Sequence, residues 1–285
     1  MVALERIVDY AGLFPPAKLP IEVAAAEYER CRQSPHAWML GKFVVPAGQL
    51  AALESSLGGS EPVAAAVLFD AQTPVRASAR VKPESCEVAL RLADYEIGAS
   101  RTAIRALHKG LQDLAPGLAV VVELPRGLAS TLLAEAFDAL AETGFAAKVR
   151  CGGVNAEATP SIDEIADFIR AASRRHVAFK ATAGLHHPVR HFNTDAGFTM
   201  HGFLNVLAAA AAAPSCDSAT LREIVGEEDA TSFAFDERGF SWRESVLADE
   251  QALTNLRRSV FLSFGSCSFA EPVDDLVGLG ILRAP

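Results

Sequence analysis

The chain has 285 residues, of which half are apolar, and its formal net charge is −9 at pH 7. This length suits one large α/β domain or two small ones, and the acidic balance argues against a nucleic-acid-binding protein. No apolar run is long enough to cross a bilayer, and the N-terminal residues lack the cationic and apolar regions of a signal peptide.

The cysteines indicate the cellular compartment. There are five, an odd number, and no two of them form a C-x-x-C pair. Disulfides are rare in cytoplasmic proteins, where thiols are kept reduced. The pattern therefore predicts free thiols in a cytoplasmic protein and argues against a disulfide framework or a zinc knuckle.

Short apolar runs alternate with amphipathic helical patterns along the chain. The predicted strands are Met39–Val45, Val63–Phe69, Glu87–Leu92, Ala119–Leu124, Ala146–Arg150, Val177–Thr182, Ser232–Phe235 and Phe261–Ser266. The predicted helices between them include Ser100–Leu114, Ala129–Thr143, Ser161–Arg175 and Ala248–Ser259. This alternation predicts a parallel sheet, and about eight strands in roughly 250 residues predict a closed (β/α)8 barrel of the TIM type. An open doubly wound sheet is the alternative, but no G-x-G-x-x-G follows the first strand.

The N-terminal part fits this pattern poorly. Asp9–Ala17 is apolar and Pro-rich, which predicts a rigid arm packed on the barrel, followed by a helix over Pro20–Cys31. We therefore predict a single barrel domain over residues 1–285, in which residues 1–35 are the arm and its helix. Near the other end, Phe235–Phe240 predicts a turn between two short strands.

Charged residues lie in three consecutive predicted strands, although burying a charge is costly unless it is paired. Glu123 ends one strand, Lys148 and Arg150 share a face of the next, and Lys180 and Thr182 share a face of the third. The chemistry of such barrels gathers at the carboxyl ends of the strands. We therefore predict that these side chains point inward and form a site.

A cluster of one carboxylate and three cations has an electrostatic consequence. A nearby positive charge disfavours the protonated form of a lysine. The sequence therefore predicts that Lys148 lowers the pKa of Lys180, so that Lys180 is a neutral nucleophile. Glu123 is then the proton shuttle, and Arg150 binds an anionic group of the substrate. The alternative is a purely structural network of buried salt bridges.

The last predicted strand runs into Gly265, Ser266, Cys267 and Ser268. Small residues before a helix leave backbone N–H groups free for an anion, which predicts binding of an anion such as phosphate at Gly265, Ser266 and Ser268. The spacing of Ser268 and Glu271 also fits a capping box, in which the helix uses these donors itself. Cys267 has no base near it in the sequence, which favours a buried structural thiol.

Four histidines lie close together, at His186, His187, His191 and His201. Imidazole binds zinc and similar ions readily, so a divalent metal held by His186 and His187, with Glu123 or Asp236 completing the shell, is an alternative prediction. The spacing matches no established metal signature, and adjacent residues of an extended segment point in opposite directions. The leading interpretation therefore includes no cofactor, with His186 or His187 as an acid, a base or a substrate contact.

The run from Phe179 to Gly184 resembles the lysine strand of deoxyribose-phosphate aldolase, a barrel family in which a K-T-x-T-G type sequence carries a Schiff-base lysine. The resemblance covers about six positions and implies that Lys180 forms the imine. It departs from the family in two respects, because that family has its second lysine on the following strand and lacks the paired histidines. Asp9–Ala17, Lys180–Pro188, Met200–Asn205 and Gly265–Ser268 are also similar to motifs of an uncharacterised bacterial protein family.

The leading prediction is thus a lyase of the Schiff-base aldolase type that acts on a small anionic carbonyl compound. A metal-dependent lyase or hydrolase and a non-catalytic barrel that binds a sugar phosphate or another anion are the alternatives. The expected partner is a small anionic molecule, not a nucleic acid or a membrane. Barrels often form symmetric homo-oligomers, and the Pro-rich arm is a candidate contact for one.

Overall fold

The computed structural model describes residues 2–70, 73–92, 95–153 and 155–284. Its strands are β1 (Val8–Tyr10), β2 (Leu40–Pro46), β3 (Val63–Leu68), β4 (Val81–Ala89), β5 (Ala119–Glu123), β6 (Ala146–Arg150), β7 (Phe179–Thr182), β8 (His191–Asn193), β9 (Phe198–Met200), β10 (Phe233–Asp236), β11 (Gly239–Trp242), β12 (Ser245–Ala248) and β13 (Phe261–Ser266). Eight of them form a closed barrel in the order β1-β13-β7-β6-β5-β4-β3-β2, and every neighbouring pair is parallel. The predicted TIM-type barrel is confirmed.

The helices surround this barrel. They are α1 (Ile21–Cys31), α2 (Leu50–Ser56), α3 (Ala99–Leu114), α4 (Ser130–Thr143), α5 (Ile162–Arg175), α6 (Phe203–Ala212), α7 (Ser218–Gly226), α8 (Glu250–Ser259) and α9 (Ala270–Gly278). The Ala-rich α6 is buried along almost its whole length, as expected of a helix whose small side chains allow close packing. Among the described helices, none has both the length and the apolar character that a membrane crossing requires.

The core lies between the barrel and the helices, because the strands alternate their side chains between two faces. On β7, Phe179 points outward, with its ring 5.6 Å from that of Phe168 on α5 and 5.2 Å from that of Phe261. Lys180 points inward, where it contacts side chains from the non-adjacent strands β1 and β4. The outward face is therefore apolar, and the inward face carries the charges.

Two of the predicted strand assignments are wrong. The first barrel strand is β1, which lies at the start of the segment predicted to be an arm, so the Pro-rich part is the loop that follows it. The predicted strand Ser232–Phe235 corresponds to β10, which pairs with β11 and β12 in a separate antiparallel sheet. The predicted turn before Phe240 is confirmed, because it joins β10 to β11.

The connection from β7 to β13 is the longest connection between consecutive barrel strands in the described chain. Residues 183–260 contain the hairpin of β8 and β9, the helices α6 to α8, and the antiparallel sheet. The hairpin lies at the carboxyl end of the barrel, where its residues help to enclose a cavity. The prediction that residues 1–285 form one domain stays a prediction.

Candidate active site

A cavity of about 640 Å³ opens at the carboxyl ends of the barrel strands. The predicted site residues that line it are Glu123, Lys148, Arg150, Lys180, Thr182, His186, His187 and Gly265. Pro15 and Pro16 from the loop after β1, and Phe198 and Met200 from the β8–β9 hairpin, enclose it from the sides. Cavities of this size, with apolar walls and a few polar groups, are typical small-molecule sites.

The floor of the cavity is an alternating chain of carboxylates and ammonium groups. Nζ of Lys180 lies 2.6 Å from Oδ2 of Asp9 and 2.6 Å from Oε1 of Glu87. Nζ of Lys148 lies 2.9 Å from Oε2 of Glu87 and 3.0 Å from Oε2 of Glu123. Glu87 thus connects the two lysines, and we call these five side chains the ionic chain.

The register of the barrel explains why these side chains meet. Lys148 on β6 is directly opposite Glu123 on β5 and Lys180 on β7. Side chains directly opposite each other on neighbouring strands lie on the same face of the sheet and within contact distance. Across the interior of the barrel, Glu87 on β4 reaches both lysines and Asp9 on β1 reaches Lys180, so the ionic chain joins five of the eight strands.

Asp9 is held by contacts that use the irregular pairing of β1. The register of β1 against β2 shifts between Val8 and Tyr10, and here the backbone N–H of Lys42 donates to Oδ1 of Asp9 at 2.7 Å. The hydroxyl of Ser263 donates to Oδ2 at 2.8 Å. A Cβ atom at Gly41 would lie 2.4 Å from Oδ1, so this close approach requires glycine.

The contacts of the ionic chain keep Glu87, Asp9 and Lys180 charged. Burial would raise the pKa of Glu87, but Lys180 and Lys148 outweigh it and lower that pKa to about 2. Burial would likewise raise the pKa of Asp9, which Lys180 and Lys42 instead hold well below its usual range. For Lys180 burial favours the neutral amine, yet Asp9 and Glu87 raise its pKa above the ordinary value.

This result corrects the predicted electrostatics of the lysine pair. Lys148 was expected to lower the pKa of Lys180 by repulsion, but a carboxylate of Glu87 lies between the two ammonium groups. Lys180 is only 2% exposed and is therefore a fixed, protonated cation in the resting protein. The expectation of a neutral Lys180 is wrong because the carboxylates of Asp9 and Glu87 stabilise its protonated form.

Above the floor, Arg150 and Thr182 line the cavity on adjacent strands. Within the described residues, no hydrogen bond or ion pair engages the exposed guanidinium of Arg150. The Thr182 hydroxyl donates to the backbone carbonyl of Val149 at 3.5 Å, a distance at the limit for a hydrogen bond. Arg150 is thus placed to bind an anionic group that enters the cavity.

The two adjacent histidines have separate carboxylate partners. Nδ1 of His186 lies 2.9 Å from Oε2 of Glu271, and Nδ1 of His187 lies 2.6 Å from Oδ2 of Asp275. In the described part of the chain, no group of three or more His, Cys, Asp or Glu side chains is arranged to hold a metal ion. The predicted metal ligands His186 and His187 both line the cavity, but the described residues do not complete a set of metal ligands around them.

Some backbone N–H groups of the turn after β13 donate hydrogen bonds to serine hydroxyls of the same turn. The hydroxyl of Ser266 accepts from the backbone N–H of Ser268 at 3.3 Å, and the hydroxyl of Ser268 accepts from that of Glu271 at 3.2 Å. The Glu271 carboxylate contacts His186 instead of completing the capping box. Gly265 and Cys267 line the cavity, whereas the hydroxyl groups of Ser266 and Ser268 make their hydrogen bonds within the turn, apart from the approach of the Ser266 hydroxyl to His186 at 3.4 Å.

Sequence reasoning missed Asp9 and Glu87, which are 1% and 2% exposed. Both are single acidic residues between apolar neighbours, the same signal that identified Lys180. Arg91, which lies in the predicted strand Glu87–Leu92, is exposed and lies beyond the end of β4. Comparison of the whole chain with protein-family models and with curated proteins finds no match.

Proposed function

We propose that the cavity is the active site of a lyase that forms a Schiff base with a small anionic carbonyl compound, and that Lys148 is the amine. The observation that carries the proposal is the position of Lys148, between the buried Glu87 and the more accessible Glu123 at the floor of the cavity. The resemblance to the aldolase lysine strand supports the mechanism class and points to the neighbouring Lys180.

The partners of the two lysines favour Lys148 over Lys180. Both carboxylates that hold Lys180 have side chains that are 1% exposed, so no water or substrate group replaces them when a proton leaves. Of the two that hold Lys148, Glu123 has a side chain that is 19% exposed and lines the cavity. A substrate in the cavity reaches this pair directly, so the proton of Lys148 has an acceptor there.

The contact between Lys148 and Glu123 provides a route for each proton of the reaction. As Nζ of Lys148 passes one proton to Glu123, its lone pair attacks the carbonyl carbon and the π electrons move to the oxygen. A second proton then moves from the nitrogen to that oxygen, and a neutral carbinolamine forms. Protonated Glu123 returns the proton to the departing hydroxyl, which leaves as water, and a cationic iminium remains. The iminium takes the place of the ammonium between Glu87 and Glu123, so the same carboxylates stabilise it. Lys180 keeps Glu87 ionised throughout.

The charge of the cavity indicates the substrate class. Arg150 offers a planar guanidinium to a carboxylate or phosphate, which it binds with two parallel hydrogen bonds. The volume of about 640 Å³ suits a small molecule. We therefore infer a keto acid, an aldehyde acid or a phosphorylated carbonyl compound as the substrate.

Reductive trapping tests this proposal. The protein is incubated with pyruvate or glyoxylate and sodium borohydride, digested, and mapped by mass spectrometry. We expect the reduced adduct on Lys148, its loss in Lys148→Met, and its retention in Lys109→Met, a matched change at an exposed lysine of α3. An adduct on Lys180 alone would return the role to that residue, and no adduct from either acid would refute the Schiff-base mechanism.

The two alternatives make different predictions. The metal-dependent enzyme requires a stoichiometric divalent ion in protein purified without an affinity tag, bound by His186 and His187. The non-catalytic anion-binding barrel requires thermal stabilisation by phosphate that disappears in Arg150→Met, without covalent trapping or turnover.

A further inference from the structure

A second set of reactive side chains lies on the wall of the cavity, away from the ionic chain. Sγ of Cys267 lies 3.9 Å from Nδ1 and 4.0 Å from Nε2 of His186. Nδ1 of that imidazole lies 2.9 Å from Oε2 of Glu271. All three residues line the cavity, so a bound molecule has access to the thiol and to its imidazole.

The Glu271 contact determines which nitrogen of His186 acts as a base. A carboxylate accepts hydrogen bonds, so Nδ1 carries the proton that it donates to Glu271. In the neutral imidazole Nε2 is then the acceptor, and it is within 4.0 Å of the thiol. Contacts between a nucleophile and its base are often long before a substrate binds and shorten in the reactive complex.

The thiol needs this base. Burial raises the pKa of Cys267, and the backbone N–H of Ala17 opposes that rise only in part, so the resting group is a neutral thiol. A neutral thiol becomes an effective nucleophile when a base removes its proton as the new bond forms. The neighbouring imidazole, oriented by a carboxylate, supplies that base.

The other four cysteines lie outside this cavity. Cys86 and Cys151 have no exposed surface, and burial raises the pKa of each to about 12. Cys31 and Cys216 are half-buried on the helical shell. Of the five cysteines, all within the described residues, Cys267 is the one that lines this cavity.

We propose that Cys267, His186 and Glu271 form a second reactive centre, which hydrolyses small activated esters or thioesters. Sγ attacks the acyl carbon and its proton passes to Nε2 of His186, while the carbonyl π electrons move to oxygen. The tetrahedral intermediate expels the alkoxide or thiolate, which takes the proton from His186, and an acyl-Cys267 remains. Water then attacks, with His186 as its base, and releases the carboxylic acid and the thiol. Glu271 is a positioning residue.

This proposal uses none of the residues of the lysine chemistry and is tested separately from it. The intact protein is mixed with p-nitrophenyl acetate, nitrophenolate release is followed, and the acetylated peptide is mapped. We expect the acetyl group on Cys267, no such adduct in Cys267→Ala, and a fall in the acylation rate of at least about 100-fold in His186→Asn. Cys216→Ala, a change at a cysteine outside the cavity, leaves the rate unchanged.

A further variant tests the role of Glu271. Glu271→Gln keeps the size of the side chain, and we expect a lower kcat with an unchanged KM, because the imidazole is less well oriented while the cavity is intact. Circular dichroism checks the fold of each variant, and Cys267→Ser is the near-isosteric alternative if Cys267→Ala unfolds. Acetylation that maps only to residues other than Cys267, or an acylation rate unchanged in His186→Asn, overturns the proposal.

Discussion

The two faces of the barrel sheet differ sharply in chemistry, although their residues alternate along the same strands. On β7, Phe179 is fully buried among the rings of Phe168 and Phe261 outside the barrel. The next residue, Lys180, is held between two carboxylates inside it. The interiors of such barrels are usually filled with branched apolar side chains. Here the interior at the level of β7 is ionic.

The two faces of the barrel sheet contribute differently to the stability of the fold. Full burial of an apolar side chain stabilises a fold by about 1.5–3 kcal/mol, so the outward face is the larger source of stability. Buried ion pairs roughly break even against apolar residues of similar size, because desolvation offsets the attraction between the charges. The paired charges inside the barrel therefore add little net stability compared with the apolar outward face.

Removal of the central carboxylate is expected to have the largest effect. Glu87→Gln leaves two buried ammonium groups without their shared partner, and breaking a buried pair in this way costs about 3–5 kcal/mol. Urea unfolding measures the change in the free energy of unfolding. Arg105→Ala, which removes an exposed pair with Glu142, is the control and should cost at most about 1 kcal/mol.

Equal losses in Glu87→Gln and Arg105→Ala would contradict this comparison. They would mean that water in the cavity solvates the ionic chain as well as it solvates the protein surface. The inward face would then carry no special electrostatic cost.

The acid dependence of stability sharpens the comparison. The pKa of Glu87 falls from the ordinary value of 4.5 to about 2 on folding, so its stabilisation is complete at neutral pH and is lost as the pH falls from about 5 towards 2. The loss from Glu87 is on the order of 3 kcal/mol, and Asp9 adds to it in the same direction. The raised pKa of Lys180 leaves its contribution complete over this range.

Unfolding measured at about pH 7, 5 and 3 checks the acid dependence. We expect the slope of stability against pH to be smaller in Glu87→Gln than in the natural sequence. A variant with the same slope would show that other carboxylates control the acid sensitivity.

A small change on the outward face is expected to have the smallest effect. Ile165 on α5 is fully buried in the core outside the barrel, and Ile165→Val removes one methylene at a cost of about 0.5–1.5 kcal/mol. Because no charge is involved, the cost should be the same at each pH of the series. A cost that varied with pH would show that the two faces are coupled.

The fold was largely predictable because most barrel strands are apolar runs between amphipathic helices. The two wrong assignments both reflect what a local pattern lacks, either a signal long enough to show a strand or information on which sheet the strand joins. The three residues of β1 are too few for a periodic signal and precede a Pro-rich loop, whereas β10 has a normal strand pattern and pairs elsewhere.

The site was predictable only in part. Lys148 and Lys180 were placed on one face because neighbouring strands and a period of two are local information. Glu123, one partner of Lys148, was predicted with them, but Asp9 and Glu87 were not, because they come from β1 and β4 and no local pattern relates those strands to β7. The partnership of Cys267 with His186 was missed for the same reason, because the loops after β7 and β13 meet only in three dimensions.

Asp9 contacts both Lys180 and Ser263, and these two residues are synthesised at different times. Synthesis proceeds from the N-terminus, so β1 leaves the ribosome first, and β13, which pairs with it, leaves last among the barrel strands. Until β13 arrives, the barrel is an open sheet, and Asp9 lacks the Ser263 hydroxyl that helps to hold it. Asp9 therefore acquires its full set of contacts only when the final strand closes the ring.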